Sequence, residues 1–376
     1  MRYFLSQNVH EAALERINRL FDEFEHVVVN FSGGKDSTVV LNLCLQVAQE
    51  RGRLPLPVMF LDQEAEWDAT IDYVREVMND PRVRPLWLQI PFRLFNATSH
   101  EQQWLHCWKE DEEENWIRPK EAIALKENVY GTDRFAELLS SVVAHHFPSP
   151  AAQIAGVRCE ESPARLNGLT SYATYKDITW GNKKSKKAGY YTFYPLYDWT
   201  VYDVWKAIHE GGWPYCRLYD LMYQYGIPLM QMRVSNVHHE TAIRSLLFLQ
   251  EVEPDTWNRI TARVQGVNAV SRAWEAYTCP SELPWMFRDW LEYRDHLLEN
   301  LITDEANRKR MMVMFENADR TFEPSARRAL TKCQIASILV GDFEGTKLTN
   351  FSASHGKEMK NAGRRGQRTG LAPQTP

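Results

Sequence analysis

Val27-Val28-Val29-Asn30-Phe31-Ser32-Gly33-Gly34-Lys35-Asp36-Ser37-Thr38-Val39-Val40 reads as a buried strand, a tight polar turn and the first turn of a helix. The three valines suit a strand that excludes water, and the two glycines allow close approach to the backbone. Ser37 and Thr38, followed by Val39, Val40 and Leu41, start a helix whose free amides face back toward the turn, where an anion is stabilised. Lys35 adds a positive charge at the same place. Asp36 supplies a carboxylate that either orients a divalent ion or anchors the loop. Two glycines between serines also make an ordinary flexible turn; the strand before them and the helix after them favour a loop that holds a phosphate chain.

The spacing is not that of a Walker loop, which has four residues between its first glycine and the Gly-Lys pair and Ser or Thr directly after the lysine. Here Asp36 intervenes. Ser32 to Ser37 instead resembles the loop of the adenine-nucleotide alpha hydrolases, the PP-loop superfamily of ATP pyrophosphatases, ATP sulfurylase small subunits and phosphoadenosine phosphosulfate (PAPS) reductases.

Two further stretches carry that resemblance. Gly156-Val157-Arg158-Cys159-Glu160-Glu161-Ser162-Pro163-Ala164-Arg165 follows a strand expected at 153–157. Arg158 and Arg165 either fork onto phosphate or sulfate oxygens or pair with Glu160 and Glu161 in a salt-bridge network. The stretch resembles the Gly-x-Arg, Glu-Ser and Arg pattern of the sulfate-activating and PAPS-reducing branch. In Phe193 to Trp205, Thr200 reads as a helix cap with Asp203 at the third helical position, and the order of Pro195, Trp199-Thr200 and Asp203-Val204-Trp205 resembles the same branch. The resemblance spans about residues 25–235 and is most like the family's IbrA-like members.

That resemblance implies an α/β fold, a Rossmann-like parallel sheet carrying the PP-loop, with a helical C-terminal region. With the helical pattern and the basic composition that follow it, the expected organisation is a nucleotide-binding domain over 1–235, a helical accessory domain over 236–350 and a basic tail over 351–376. The ligand would be ATP or a related adenine nucleotide, contacted by Ser32, Gly33, Gly34, Lys35, Asp36, Ser37, Asp62, Gly156, Arg158 and Glu161. Catalytic roles fall to Lys35, Asp36, Asp62, Arg158 and Arg165. Lys35 and the loop amides would meet the α and β phosphates, Asp36 or Asp62 would position Mg²⁺, and Arg158 and Arg165 would hold a terminal phosphate or sulfate. ATP would be split between its α and β phosphates, with adenylylation of an acceptor. PAPS reduction or sulfotransfer is the alternative, weakened because the reductases' C-terminal Glu-Cys-Gly segment has no counterpart around Cys279 or Cys333. A regulatory subunit working with a ParB-like protein or at nucleic acid is a third reading.

The remaining chain bounds these readings. A length of 376 residues, 44% hydrophobic and 25% charged, suits a globular protein of more than one domain. No apolar run reaches the roughly 18–20 residues of a membrane span, and Met1 to Val9 lacks a signal-peptide core, so a cytoplasmic location is expected. Six scattered cysteines without C-x-x-C spacing suggest neither a disulfide framework nor structural zinc or an iron–sulfur cluster. The net charge of −5 argues against nonspecific nucleic-acid binding over the whole surface, although the Lys183–Lys187 region and the tail from Ser352 are local basic patches. A homo-oligomer is compatible with all of this.

Elsewhere the patterns predict helices over 11–24, 38–50, 66–77 and 121–146, and strands at 58–61 and 86–91. Asp62, at a strand end, reads either as a site residue or as a cap for the helix after it. His100, His106 and Cys107 match no metal template, and a loop or short helical segment over the nucleotide is the better reading there. Beyond 240 the pattern is helical, with helices over 241–249, 255–264, 267–276 and 284–301.

Overall fold

The computed structural model describes residues 5–96, 98–99, 102, 104–170, 174–182, 189–234, 246–267, 279–280 and 282–352. Over these residues the chain divides into two compact units: Met1–Phe95 with Trp104–Val264, and Asn96–Gln103 with Gln265–Pro376. The Lys183–Lys187 region, His100, His238, His239 and the tail beyond Ser352 lie outside the described residues.

The first unit is a mostly parallel sheet between helices. Strands β1 (His26–Asn30), β2 (Leu56–Leu61) and β3 (Val83–Leu88) run parallel, and β6 (Ala151–Ala155) and β8 (Tyr190–Phe193) continue the sheet on the other side of β1. A two-residue antiparallel edge, β7 (Gly181–Asn182), completes the order β3-β2-β1-β6-β8-β7. The direction of chain progression reverses at β1, so the crevice beyond the carboxyl ends of β1 and β6 is the position where such sheets bind ligands. Val27, Val28 and Val29 are buried because both faces of β1 are covered.

Helices α1 (Val9–Glu23), α2 (Lys35–Glu50) and α3 (Asp68–Met78) alternate with these strands. Asn8 and Glu11 form a capping box at the start of α1. Farther along α1, Arg16 grips the Asp198 carboxylate through two bonds of 2.8 and 2.7 Å and donates to the Pro195 carbonyl at 2.7 Å. This ties the first helix to the turn that precedes helix α6 (Val201–Gly211). At α6 the expected cap is present: the Thr200 hydroxyl accepts from the Asp203 amide at 3.1 Å, and Asp203 accepts from the Thr200 amide at 2.7 Å.

Three expectations change. Helix α2 begins at Lys35, with Gly34 as its extended N-cap, rather than at Thr38, so the loop's lysine and aspartate sit in the first helical turn. The segment from Glu121 is not helical until α4 (Phe135–His146). Its backbone covers the outer edge of β3 instead, Leu125 donating to Trp87 at 2.8 Å and Gln89 donating to Leu125 at 3.0 Å, which satisfies groups an exposed edge would leave open. Residues 92–107 carry an antiparallel pair, β4 (Phe92–Phe95) with β5 (Trp104–Cys107), rather than a loop or short helix.

Helices α5 (Pro163–Thr170), α7 (Leu218–Gln224), α8 (Leu246–Val252) and α9 (Pro254–Arg263) complete the first unit. In the second unit, α10 (Trp290–Leu301), α11 (Glu305–Thr321) and α12 (Arg327–Leu339) bury a core built from Leu298, Ile302, Met311, Phe315, Leu330, Ile338, Phe343 and Leu348. Among the described residues no helix is long and apolar enough to cross a membrane.

Candidate functional site

The loop between β1 and α2 is shaped by its own short side chains. Gly33 takes a left-handed φ of 73°, and a Cβ there would lie 2.8 Å from the Thr70 methyl of α3. Ser37 donates to the Gly34 carbonyl at 2.8 Å and lies 3.1 Å from the Ser32 hydroxyl, so Ser32 is the donor between them. The Ser32 amide also reaches Ser37 at 3.3 Å. The two serines thus tie the start of the loop to its end. Across the switch point, Gly156 leaves β6 so close to the loop that a Cβ on it would stand 2.7 Å from the Asp36 carbonyl carbon and 2.8 Å from the Ser37 nitrogen.

Lys35 is 5% exposed. Its ammonium donates to the Met232 carbonyl at 3.2 Å, lies 3.5 Å from Asp36 and sits over the Tyr219 ring at 5.3 Å. Its backbone N–H donates to the Tyr219 hydroxyl at 3.0 Å. Burial pushes that phenol well above its ordinary range and keeps it protonated. The N–H groups of Gly33, Gly34, Asp36 and Ser37 make no hydrogen bond to another described residue. They are the open donors of a helix N-terminus, where the macrodipole favours negative charge.

Ser32, Gly34, Lys35, Asp36, Ser37 and Tyr219 line a cleft of about 560 Å³. Gly156, Glu161, Arg165 and Arg233 also line it. Arg165 is half exposed and lies 3.6 Å from the Glu161 carboxylate, and Arg233 donates to the Glu161 carbonyl at 3.2 Å. The cleft is also lined by Met59 and Leu61 of β2, by Gln63 and Glu66 in the turn after it, and by Phe135, Leu139 and Ser140 of α4. Phe135 and Leu139 form a wall of this cleft, while Leu138, Val142 and Val143 take the core face of the helix.

Arg158 and Asp62 are engaged elsewhere. Arg158 is 4% exposed; its guanidinium pairs with Asp36, reaches Glu160 at 3.0 Å and meets the Trp199 carbonyl at 3.5 Å. Of the two readings of these arginines, the salt-bridge network is the one Arg158 adopts. Glu160 in turn accepts from the Val201 amide at 2.7 Å, so the network also holds the start of α6. Asp62 is fully buried and is not among the cleft-lining residues. It accepts from the Glu64 amide at 3.0 Å, from Trp87 and Gln89 at 2.9 Å each, and from Arg118. Asp36 and Asp62 therefore do not combine into one ion site, and the described residues contain no group of three or more His, Cys, Asp or Glu that could hold a metal. Cys107 is buried with its thiol on the Gln63 carbonyl, and His106 is exposed. Burial pushes the Cys107 thiol well above its ordinary range and Cys216 up to about 11, which disfavours both thiolates.

Sequence reading missed Tyr219 and, within the strand-end stretch around Asp62, did not single out Glu66. Tyr219 acts through a contact 184 residues away from the loop, beyond any local pattern. Glu66 resembled one more acid before a helix; only its 3% exposure inside the cleft wall sets it apart.

Comparison with known proteins agrees with the fold. The family model described as phosphoadenosine phosphosulfate reductase domain matches residues 26–225, and one described as a domain of unknown function matches residues 226–341. YbdN of Escherichia coli (strain K12), described as uncharacterized, is 34% identical over 280 residues, 70% of this chain and 67% of YbdN. Sulfate adenylyltransferase subunit 2 of Mycolicibacterium gilvum (strain PYR-GCK) is 26% identical over 221 residues, 55% of this chain and 62% of that relative. Among solved structures, a PAPS reductase from Candida auris aligns over 63% of this chain and 98% of its own, at 15% identity and a TM-score of 0.35.

Proposed function

The chain belongs to the phosphoadenosine phosphosulfate reductase domain family, and from that premise we propose that its cleft binds ATP, breaks the bond between the α and β phosphates and transfers the adenylyl group to an acceptor. The observation that carries this reading is the set of open loop amides and the buried Lys35 gathered at the sheet's switch point, against Gly156.

In the reaction an acceptor oxygen attacks the α phosphorus, a new O–P bond forms, and the α–β P–O bond breaks with its electron pair leaving on pyrophosphate. Lys35 keeps a third ammonium donor beyond Met232 and Asp36. That donor and the loop amides face the charge that grows on the leaving group. Arg158 acts as an anchor, holding Asp36 and hence the first turn of α2. Arg165 and Arg233 suit an anionic acceptor at the cleft mouth. A relative named for adenylyl transfer to sulfate supports that class, and its designation as subunit 2 supports assembly with a partner chain. Asp36 and Asp62 do not fit a resident Mg²⁺, for the reasons of hydrogen bonding given above; an ion would arrive on the nucleotide's own phosphates.

The test is to incubate the protein with α-labelled ATP and Mg²⁺, with sulfate and other oxyanions as acceptors, and to identify the labelled products. Labelled adenylyl adduct or AMP together with pyrophosphate is expected. ADP and phosphate as the only products would contradict the reading, and sulfite released from PAPS by a thiol would point to reduction instead.

A further inference from the structure

Glu66 lies in the turn between β2 and α3, lines the cleft and is 3% exposed. Among the described residues no hydrogen bond or ion pair reaches its carboxyl. Its acidic neighbours are all engaged. Asp62 has four donors. Glu64 takes Arg263 at 2.8 Å and the Trp108 amide at 2.7 Å. Glu253 caps α3 through the Asp68 and Ala69 amides at 2.8 and 3.0 Å. The Glu66 carboxyl, unpaired among the described residues, opens onto the cleft, where a ligand can complete its hydrogen bonds.

Its surroundings decide what it can bind. The charged or titratable groups that act on it are Asp62 and Arg118, with the Cys107 thiol also interacting with it, while the α4 residues that line the cleft, Phe135, Leu139 and Ser140, carry no charge. Burial first and the Asp62 carboxylate second push Glu66 up to about 8. At neutral pH it is a carboxylic acid, with one O–H donor beside one C=O acceptor. Met59 and Leu61 add apolar surface on the β2 side, and a flat ring between such walls would lay its edge against the acid.

We propose that Glu66 reads the base of the nucleotide, its carboxyl pairing with an edge that offers a ring nitrogen acceptor beside an amino donor, as adenine does. The inference rests on the reading that the cleft holds a nucleotide with its phosphates on the loop. Glu66 is then a specificity-determining residue. It takes no part in the bond-breaking step, and its unmade hydrogen bonds are completed by the ligand.

The test compares ATP with purine riboside 5′-triphosphate, which lacks only the exocyclic amino group, by calorimetric binding to wild type, Glu66→Gln and Glu66→Leu. Circular dichroism and thermal melting establish that each variant is folded. Wild type should prefer ATP by about tenfold, the scale of one hydrogen bond. The preference should persist in Glu66→Gln, whose amide keeps a donor beside an acceptor, and fall to near one in Glu66→Leu. An unchanged preference in Glu66→Leu would overturn the inference while leaving the nucleotide reading standing. Folded wild type that binds neither triphosphate would remove that reading and the inference with it.

Discussion

Gly156 approaches Asp36 so closely that a single added methyl group would stand 2.7 Å from the Asp36 carbonyl carbon. The contact joins the strand on one side of the switch point to the loop on the other, backbone against backbone. Gly156→Ala should therefore displace the loop. The expected result is a stability loss of about 1–3 kcal/mol and at least tenfold weaker ATP binding, read by urea denaturation and calorimetry on the same preparation. Wild-type affinity in the variant would mean that the loop tolerates being moved.

Arg158 and Asp36 form a pair whose side chains are 4% and 13% exposed. Removing Arg158 leaves the nearly buried Asp36 carboxylate with only the Lys35 ammonium at 3.5 Å, so Arg158→Ala should cost about 3 kcal/mol in urea denaturation. Arg165→Ala, half exposed and 3.6 Å from its partner, should cost under about 1 kcal/mol while weakening binding of an anionic acceptor. Equal costs for the two would erase the division between anchor and ligand-facing arginine.

These two arginines also mark the limit of what the sequence displays. The strand through Val27–Val29, the glycine loop and the Thr200–Asp203 capping box were legible because each is decided within a few residues. Arg158 and Arg165 occupy one short motif, and their separate fates depend on Asp36, 122 residues from Arg158. The span from Glu121 carries helix-like apolar spacing, yet an uncovered β3 edge claims its backbone. Phe135 and Leu139 have the period of a core face and are spent on a cleft wall instead. What escaped the reading was set by tertiary contact rather than by local propensity.

Glu253 caps a helix far from it in sequence. Trp67, the N-cap residue of α3, makes no side-chain cap bond, and the Glu253 carboxylate supplies both acceptors. Glu253→Ala should lower stability by about 1–2 kcal/mol and raise hydrogen exchange at the Asp68 and Ala69 amides. Unchanged protection at those amides would show that another group satisfies them.

The raised position of Glu66 has a signed consequence for stability. Its folded value of about 8 stands above the ordinary 4.5, so between those pH values the unfolded chain has lost a proton that the folded chain retains. This contribution therefore favours folding below pH 4.5 and is lost as pH rises toward 8. Glu66→Gln removes it, so the variant should gain in stability relative to wild type from pH 5 to pH 8, measured by urea denaturation across that range. A gap between the two proteins that does not widen with pH would contradict a neutral buried acid.

The central claim is that the Ser32–Ser37 loop is the nucleotide site. Its most direct measurement is calorimetric titration of ATP into wild type and Lys35→Ala, with circular dichroism establishing that both are folded. Saturable binding by wild type and at least tenfold weaker binding by the variant are predicted, since the variant loses the ammonium that meets the phosphates. Equal affinity in the two folded proteins would contradict the account.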